Sequence, residues 1–236
     1  MIPFSNFDEA EIAKFSAHAS HWWDPEGDLK TLHQINPLRV NYINEKASVA
    51  GKKIIDIGCG AGLLTEALAK LGADVTGIDM SKEAITIAKL HQHESKLNID
   101  YRVVTAEKMA EDHAGQFDIV TCLEMLEHVP DPLSAINACS TLVKPGGQVF
   151  FSTLNRNLKS YLQAIIGAEY ILKILPKHTH EYAKFIKPSE LASWARKANL
   201  SVKDMIGIHY DVFSKEFDLR SDVSVNYLMW LRKSIT

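Results

Sequence analysis

Three glycines, an aspartate in front of them and a second aspartate about 20 residues later form the chemically richest pattern in the chain. The run is Asp56-Ile57-Gly58-Cys59-Gly60-Ala61-Gly62, and the later acid is Asp79. Glycines at 58, 60 and 62 remove side chains that would hold a ligand off the backbone, and they permit dihedrals closed to other residues. A carboxylate at the carboxyl end of the following strand is placed to accept two ribose hydroxyls. Dinucleotide loops read G-x-G-x-x-G. Here the order is D-x-G-x-G-x-G, and Asp56 would repel a pyrophosphate but attract an ammonium group. The pattern predicts a cofactor with an adenosyl end and an amino-acid tail, S-adenosylmethionine.

A second cluster, Leu123-Glu124-Met125-Leu126-Glu127-His128, sets two carboxylates and an imidazole close together. On a helical turn, Glu124, Glu127 and His128 share one face at i, i+3 and i+4. Oxygen and imidazole donors at that spacing suit a divalent ion, with Mg²⁺ preferred and Mn²⁺ or Zn²⁺ as alternatives. A phenol, with a pKa near ~10, is a poor nucleophile at neutral pH until a metal or a general base removes its proton. His128 can serve either role. The other reading leaves metal out: the acids and the histidine cap the next helix or line a substrate pocket.

These groups need a scaffold that brings distant loops together. Ile54 and Ile55 precede the glycine loop as a strand, and Leu63, Leu64, Ala67, Leu68 and Leu71 follow it at helical spacing. Val75 to Ile78 reads as a second strand ending at Asp79, Tyr101 to Val104 as a third and Phe117 to Cys122 as a fourth. Ser81 opens a helix with Ala84, Ile85 and Ala88. Asp131-Pro132 opens another, which ends at the break Pro145-Gly146-Gly147, before a strand at Val149-Phe150-Phe151. A helix from Lys187-Pro188-Ser189 and two late strand-like runs, Val202 to Ile208 and Val223 to Met229, close the chain. This alternation predicts an α/β, Rossmann-like, doubly wound sheet of seven mostly parallel strands with helices on both faces. In such sheets ligands bind beyond the carboxyl ends of the strands, which nominates Gly58, Gly60, Asp79, Met80, Glu107 and Leu123. Glu107 takes an adenine amino group on this reading, or caps a helix.

At 236 residues, 46% hydrophobic content and net charge −3, the chain predicts one domain spanning 1–236. No apolar run reaches the length of a membrane span, and the first residues lack the pattern of a secretion signal, so a cytoplasmic location is expected. Three cysteines with no close pair predict core residues rather than a disulfide framework or a zinc site. Residues 1–50 form a helical lid in front of the sheet on this reading, and residues 154–187 an insertion before the last helix.

The glycine loop and Asp79 resemble motif I and the ribose-binding acid of class I methyltransferases. Seven segments together resemble the ubiquinone biosynthesis O-methyltransferase family: His21-Trp22-Trp23-Asp24, Leu32 to Arg39, Asp56 to Gly62, Cys122 to Pro132, Ser152 to Asn157, Gly167 to Leu172 and Lys184 to Pro188. The resemblance implies cofactor contacts at Arg39, Gly58, Asp79 and Leu123 and a metal site at Glu124, Glu127 and His128. It implies methylation of a 2-polyprenyl-6-hydroxyphenol and of a demethylubiquinol, whose adjacent ring hydroxyls suit chelation. It also implies contact with other ubiquinone-biosynthesis proteins. Arg39 has its own rationale, because a guanidinium carried in by the N-terminal segment can pair with the methionine carboxylate.

The stretch 156–187 mixes apolar residues such as Leu158, Tyr161, Ile165 and Leu172 with Arg156, Lys159, Lys173, Lys177, Lys184 and Lys187, against only Glu169 and Glu181. A basic amphipathic segment of this kind suits an anionic membrane surface, which places the enzyme peripherally on the inner face of the membrane. The alternatives are a lid packed on the sheet or a dimer contact. Nucleic acid is not an expected partner, because basic residues cluster only with this apolar stretch. Two competitors remain: a methyltransferase with another acceptor, and a non-catalytic cofactor-binding subunit of a membrane-associated assembly.

Overall fold

Ile54 and Ile55 are adjacent in sequence and fully buried on opposite faces of the same strand, which is the signature of a sheet covered on both sides. That strand is β1, Lys53–Ile57, and it pairs in parallel with β2, Asp74–Asp79, and with β4, Phe117–Leu123. β3, Asp100–Val103, extends the parallel set beyond β2, and β5, Val143–Leu154, extends it beyond β4. The computed structural model describes residues 6–160 and 182–235.

Three antiparallel strands finish the sheet: β6, Leu200–Asp211; β7, Glu216–Arg220; and β8, Asn226–Lys233. Among the described residues the order is β3-β2-β1-β4-β5-β8-β6-β7, eight strands where the sequence predicts seven. The addition is β7, which pairs only with the distal half of β6, from Gly207 to Asp211. The proximal half of β6 pairs with β8. The expected break at Pro145-Gly146-Gly147 lies inside β5. There the partner of β4 jumps from Val143, opposite Phe117, to Gln148, opposite Ile119, so the residues between them bulge out.

Period-2 alternation divides the core. Ile54, Val75, Ile119, Phe150 and Leu228 pack towards α2, Lys30–Ala47, and α3, Leu63–Lys70. Ile55, Val120, Phe151, Tyr227 and Met229 pack towards α5, Ala106–Asp112, α6, Pro132–Leu142, and the last helix, Pro188–Lys197. α4, Lys82–Ser95, packs Ile85 and Ala88 near β3. The predicted caps form: Ser81 accepts from Ala84 N at 3.0 Å, and Asp131 accepts from Ser134 N at 3.1 Å.

β1 is flanked by β2 on one side and β4 on the other, so the loops leaving β1 and β4 diverge and open a cleft at the carboxyl edge. The N-terminal residues cover that cleft with α1, Glu9–His18, a single turn Ala19–His21, and α2. The basic insertion expected at 154–187 lies mainly outside the described residues, including Tyr161, Ile165, Lys173 and Lys177. No helix among the described residues is long and apolar enough to cross a membrane.

Candidate active site

The loop after β1 is shaped by what presses on it. Gly58, Gly60 and Gly62 all have positive φ, at 73°, 55° and 91°. A Cβ at Gly58 would meet Met125 Cγ at 2.6 Å, and one at Gly62 would meet the Tyr101 hydroxyl at 2.1 Å. Gly60 N donates to Asp79 Oδ2 at 2.9 Å and Ser81 N to Asp79 Oδ1 at 2.8 Å, which binds the ends of β1 and β2 together. A carboxylate has about four lone-pair sites, so Asp79 keeps acceptor capacity for a pair of hydroxyls.

Asp56 is buried, and its two oxygens accept from Thr65 and Thr121, each at 2.7 Å. Burial pushes its pKa up to about 6 against the opposing effect of these two bonds; Asp79 adds to the rise and Arg39 resists it. Arg39 reaches the site from α2, is buried, and pairs with Glu124. Its Nε has no hydrogen-bond partner.

A cavity of about 500 Å³ occupies the cleft. Ten of the eleven residues expected at the site lie on its wall: Arg39, Asp56, Gly58, Gly60, Asp79, Met80, Glu107, Leu123, Glu124 and His128. Glu127 does not. The wall bears a backbone cradle that side chains would fill, a carboxylate with spare acceptor sites and a buried guanidinium. These fit an adenosyl cofactor with an amino-acid tail. Glu107 Oε1 accepts from Asn6 Nδ2 at 2.7 Å and from Ser134 Oγ at 2.9 Å, while the cap of α5 is Thr105. Its observed bonds tie the N-terminal segment to α5 and α6.

The expected helical turn at 124–128 does not form. Glu124 N still donates to Ser152 O at 3.0 Å, continuing the β4–β5 ladder, and the chain then turns through a left-handed Glu124, φ 52°. A positive φ at a non-glycine residue is a strained conformation of the kind that clusters at functional sites. Only Leu126–His128 forms a short helical turn. The three donors consequently diverge. Glu124 Oε1 accepts from Arg39 and, at 2.8 Å, from Ser152 Oγ. Glu127 is buried with neither oxygen hydrogen-bonded, and burial, together with the neighbouring Glu124 carboxylate, pushes its pKa well above the ordinary value. His128 Nδ1 lies 2.9 Å from Glu11 Oε2. Among the described residues no group of three or more His, Cys, Asp or Glu converges to hold a metal, so the expected Glu124–Glu127–His128 set does not fit a divalent ion in this geometry.

Several contacts were not foreseen. Glu11 on α1 is buried and accepts from Lys14 Nζ at 2.9 Å and Lys184 Nζ at 3.0 Å, besides its contact with His128. Burial works to raise its pKa, but the bonds from Lys14, Lys184 and His128 bring it down to about 2. Trp23 stacks on His91 with centroids 3.4 Å apart and planes 5° apart, and its Nε1 donates to Ala61 O at 3.1 Å. His91 is fixed from behind by the buried Glu66, with Nδ1 to Oε1 at 2.7 Å. Nothing in the sequence pairs Trp23 with α4 or points Glu11 at His128.

A doubly wound sheet with a glycine loop after β1, an acid after β2 and a covered cleft at its switch point defines a class I methyltransferase domain. Residues 16–204 match the family model described as a methyltransferase domain. The chain is 62% identical over 225 residues to the ubiquinone biosynthesis O-methyltransferase of Pseudomonas aeruginosa strain UCBPP-PA14, covering 95% of this chain and 97% of that one. It is 61% identical over 225 residues to the protein of the same name from Pseudomonas putida strain GB-1, with the same coverage. Among solved structures it resembles magnesium protoporphyrin IX methyltransferase from Synechocystis PCC 6803 with bound SAM, at a TM-score of 0.66 and 17% identity over 98% of this chain and 100% of that one; this likeness supports the fold alone. The chain belongs to the ubiquinone biosynthesis O-methyltransferase family, and it is an S-adenosylmethionine-dependent O-methyltransferase.

Proposed function

We propose that the cavity aligns a polyprenylated phenol with the cofactor, and that His128 accepts the phenolic proton as the oxygen is methylated. The acceptors are a 2-polyprenyl-6-hydroxyphenol and 3-demethylubiquinol. The observation that carries this reading is the presence of His128 on the same cavity wall as the glycine loop and Asp79. S-adenosylmethionine, when bound, would supply the methyl group of its sulfonium to the phenolic oxygen, with the neutral thioether as leaving group. Asp79 accepts hydroxyls at the adenosyl end, Asp56 faces the ammonium and Arg39 the carboxylate of the tail. Residues 6–47 act as a lid that excludes water, and alignment inside it supplies much of the rate.

One observation favours a second reading, in which a divalent ion joins Glu124, Glu127 and His128: the carboxyl of Glu127 is buried without a hydrogen-bond partner. That reading requires Glu124 to leave Arg39 and the loop to rearrange. We assign the stretch 156–187 to an anionic membrane surface, where a polyprenyl tail resides; its composition supports this. Labelled S-adenosylmethionine and a short-tailed demethylubiquinol, incubated with metal-stripped protein, test the assignment. Turnover without metal that is lost in His128→Ala supports the general-base reading. Turnover that appears only on adding Mg²⁺ or Zn²⁺ moves the proton-removal step to a rearranged metal set, and no turnover under any condition overturns the acceptor assignment.

A further inference from the structure

Three aromatic side chains pin three consecutive residues of the glycine loop. A Cβ on Gly60 would meet Trp22 Cζ2 at 2.3 Å, and one on Gly62 would meet the Tyr101 hydroxyl at 2.1 Å. Between them Ala61 is fully buried, and its carbonyl oxygen accepts from Trp23 Nε1 at 3.1 Å. Trp23 is itself held. Its indole stacks on the His91 ring with centroids 3.4 Å apart and planes 5° apart, and the His33 ring meets it at 71° with centroids 6.3 Å apart. His91 Nδ1 lies 2.7 Å from Oε1 of Glu66, a buried carboxylate whose other oxygen accepts from Ser95 Oγ at 2.8 Å. Glu66 sits in the first turn of α3, where its N–H donates to Gly62 O at 2.8 Å. The contacts thus close a ring that runs from Ala61 through Trp23, His91 and Glu66 back to Gly62.

From this ring we infer that Trp23 is a positioning residue for the cofactor: it sets the Ala61 peptide from the N-terminal cover, while His91 and Glu66 set Trp23. The role concerns cofactor binding and is independent of which group removes the acceptor proton. Trp23 is only partly buried and is packed into none of the hydrophobic clusters among the described residues, so it contributes these contacts rather than core volume.

An indole N–H can only donate and a carbonyl oxygen only accept, so the bond to Ala61 has one polarity. A buried carbonyl left without a donor loses more than the bond is worth, because it forgoes water as well. With Trp23 withdrawn, the Ala61 peptide therefore favours positions that water can reach. Gly60, its neighbour, lines the cavity, so such a shift is felt where the cofactor binds. Affinity then falls with the fraction of molecules whose loop is correctly set. Linkage also runs the other way. Trp23 lies between the turn Ala19–His21 and α2, so a cofactor that prefers the set loop favours the covered state.

The experiment measures S-adenosylmethionine binding by calorimetry to full-length wild type, Trp23→Phe, Trp23→Ala, His91→Gln and the double variant Trp23→Ala/His91→Gln. Phenylalanine keeps a ring for His91 but has no N–H; glutamine keeps a donor for Glu66 but has no ring. Trp23→Phe should bind the cofactor about 3- to 10-fold more weakly, the equivalent of one hydrogen bond. His91→Gln should bind about 2- to 10-fold more weakly, the equivalent of one stacked pair. Trp23→Ala should lose about 10- to 100-fold, and adding His91→Gln to it should cost nothing further, because the stack is already gone. In turnover the KM for the cofactor rises while kcat at saturation stays within about twofold. Limited proteolysis gives a readout without activity: S-adenosylmethionine should slow cleavage within residues 19–29 in wild type, and do so less in Trp23→Phe. Wild-type cofactor affinity in Trp23→Phe and Trp23→Ala, even beside a lowered Tm, overturns the proposal and marks a purely structural tryptophan. A His91→Gln loss that multiplies in full on Trp23→Ala also overturns it, since the imidazole would then not act through Trp23, and so does a fall in kcat at unchanged cofactor Kd.

Discussion

Gly60→Ala is the most informative single methyl to add, because its cost can be divided between two sources. Gly60 sits at φ 55°, and its Cβ would fall 2.3 Å from Trp22 Cζ2, 2.7 Å from Cη2 and 3.1 Å from Cε2. A left-handed alanine costs about 1–2 kcal/mol in the backbone. The rest is steric. An indole edge cannot swing aside as a flexible chain end does, and Trp22 is buried with its carbonyl oxygen 2.8 Å from His33 Nε2. Overpacking of this kind costs about 1–3 kcal/mol, so Gly60→Ala should lose about 2–5 kcal/mol in total. Trp22→Ala alone should lose about 3–5 kcal/mol from the cavity it leaves. In the double variant the clash is gone and only the backbone term remains, so adding Gly60→Ala to Trp22→Ala should cost about 1–2 kcal/mol. Urea denaturation of the four proteins reads the coupling as the failure of the single costs to add, expected at about 1–3 kcal/mol. Additivity within about 0.5 kcal/mol would mean that Trp22 does not press on the loop, and the account of how the N-terminal segment seats on the cofactor site would be wrong.

Two further outcomes follow from the buried acids. Asp56, with its pKa raised to about 6, is neutral below that pH and anionic above it, so affinity for a cofactor bearing an ammonium should strengthen as pH rises from 5 to 7.5, by at most about tenfold per unit; calorimetry on Asp56→Asn should show a flat profile, and an equal slope in the variant would refute the contact. Glu127, whose pKa is raised, holds its proton in the folded state, so wild type loses stability as pH climbs above the ordinary glutamate value while Glu127→Gln does not; at pH 7 the variant should match or exceed wild type, and a loss above about 3 kcal/mol would reveal an ionised carboxylate with a bound cation.

What could be read from the sequence was local. The glycine loop was legible because strand, turn and helix announce themselves within a few turns of chain, and Asp79 because it ends the next buried strand. Caps at Ser81 and Asp131 are likewise short-range and form as expected. The helical turn expected over Glu124 to His128 fails because Glu124 N is still held in the sheet by Ser152 O, so a helical period cannot begin there. β7 escaped notice because the hairpin before it turns on Lys215 at φ 61°, without the glycine or Asn-Gly pair that signals such turns. Glu11 was invisible since its meaning lies in a contact made only after folding. A lone acid on an exposed-looking helix carries no signal for a histidine beyond β4.

The N-terminal segment is tied down at several places at the sheet's carboxyl edge, among them Ser16, whose Oγ lies 2.8 Å from Ser81 Oγ. Asn6 bonds Glu107 at 2.7 Å and the Asp131 carbonyl at 2.9 Å; Trp23 holds Ala61 O and stacks on His91; Glu11 holds His128. The ties reach α5, the loop after β1, α4 and the β4–α6 connection, so no single loop movement releases the segment. Each of these hydrogen bonds is modest, netting about 1 kcal/mol, whereas buried Trp22 and the core residues of α2 hold the segment more strongly. Of this segment, α1 makes the fewest core contacts, so α1 rather than α2 is the part whose release leaves β1 to β5 folded. Any opening of α1 would also break the contact of Glu11 with His128, so the cover over the cleft and the chain after β4 are joined through one helix.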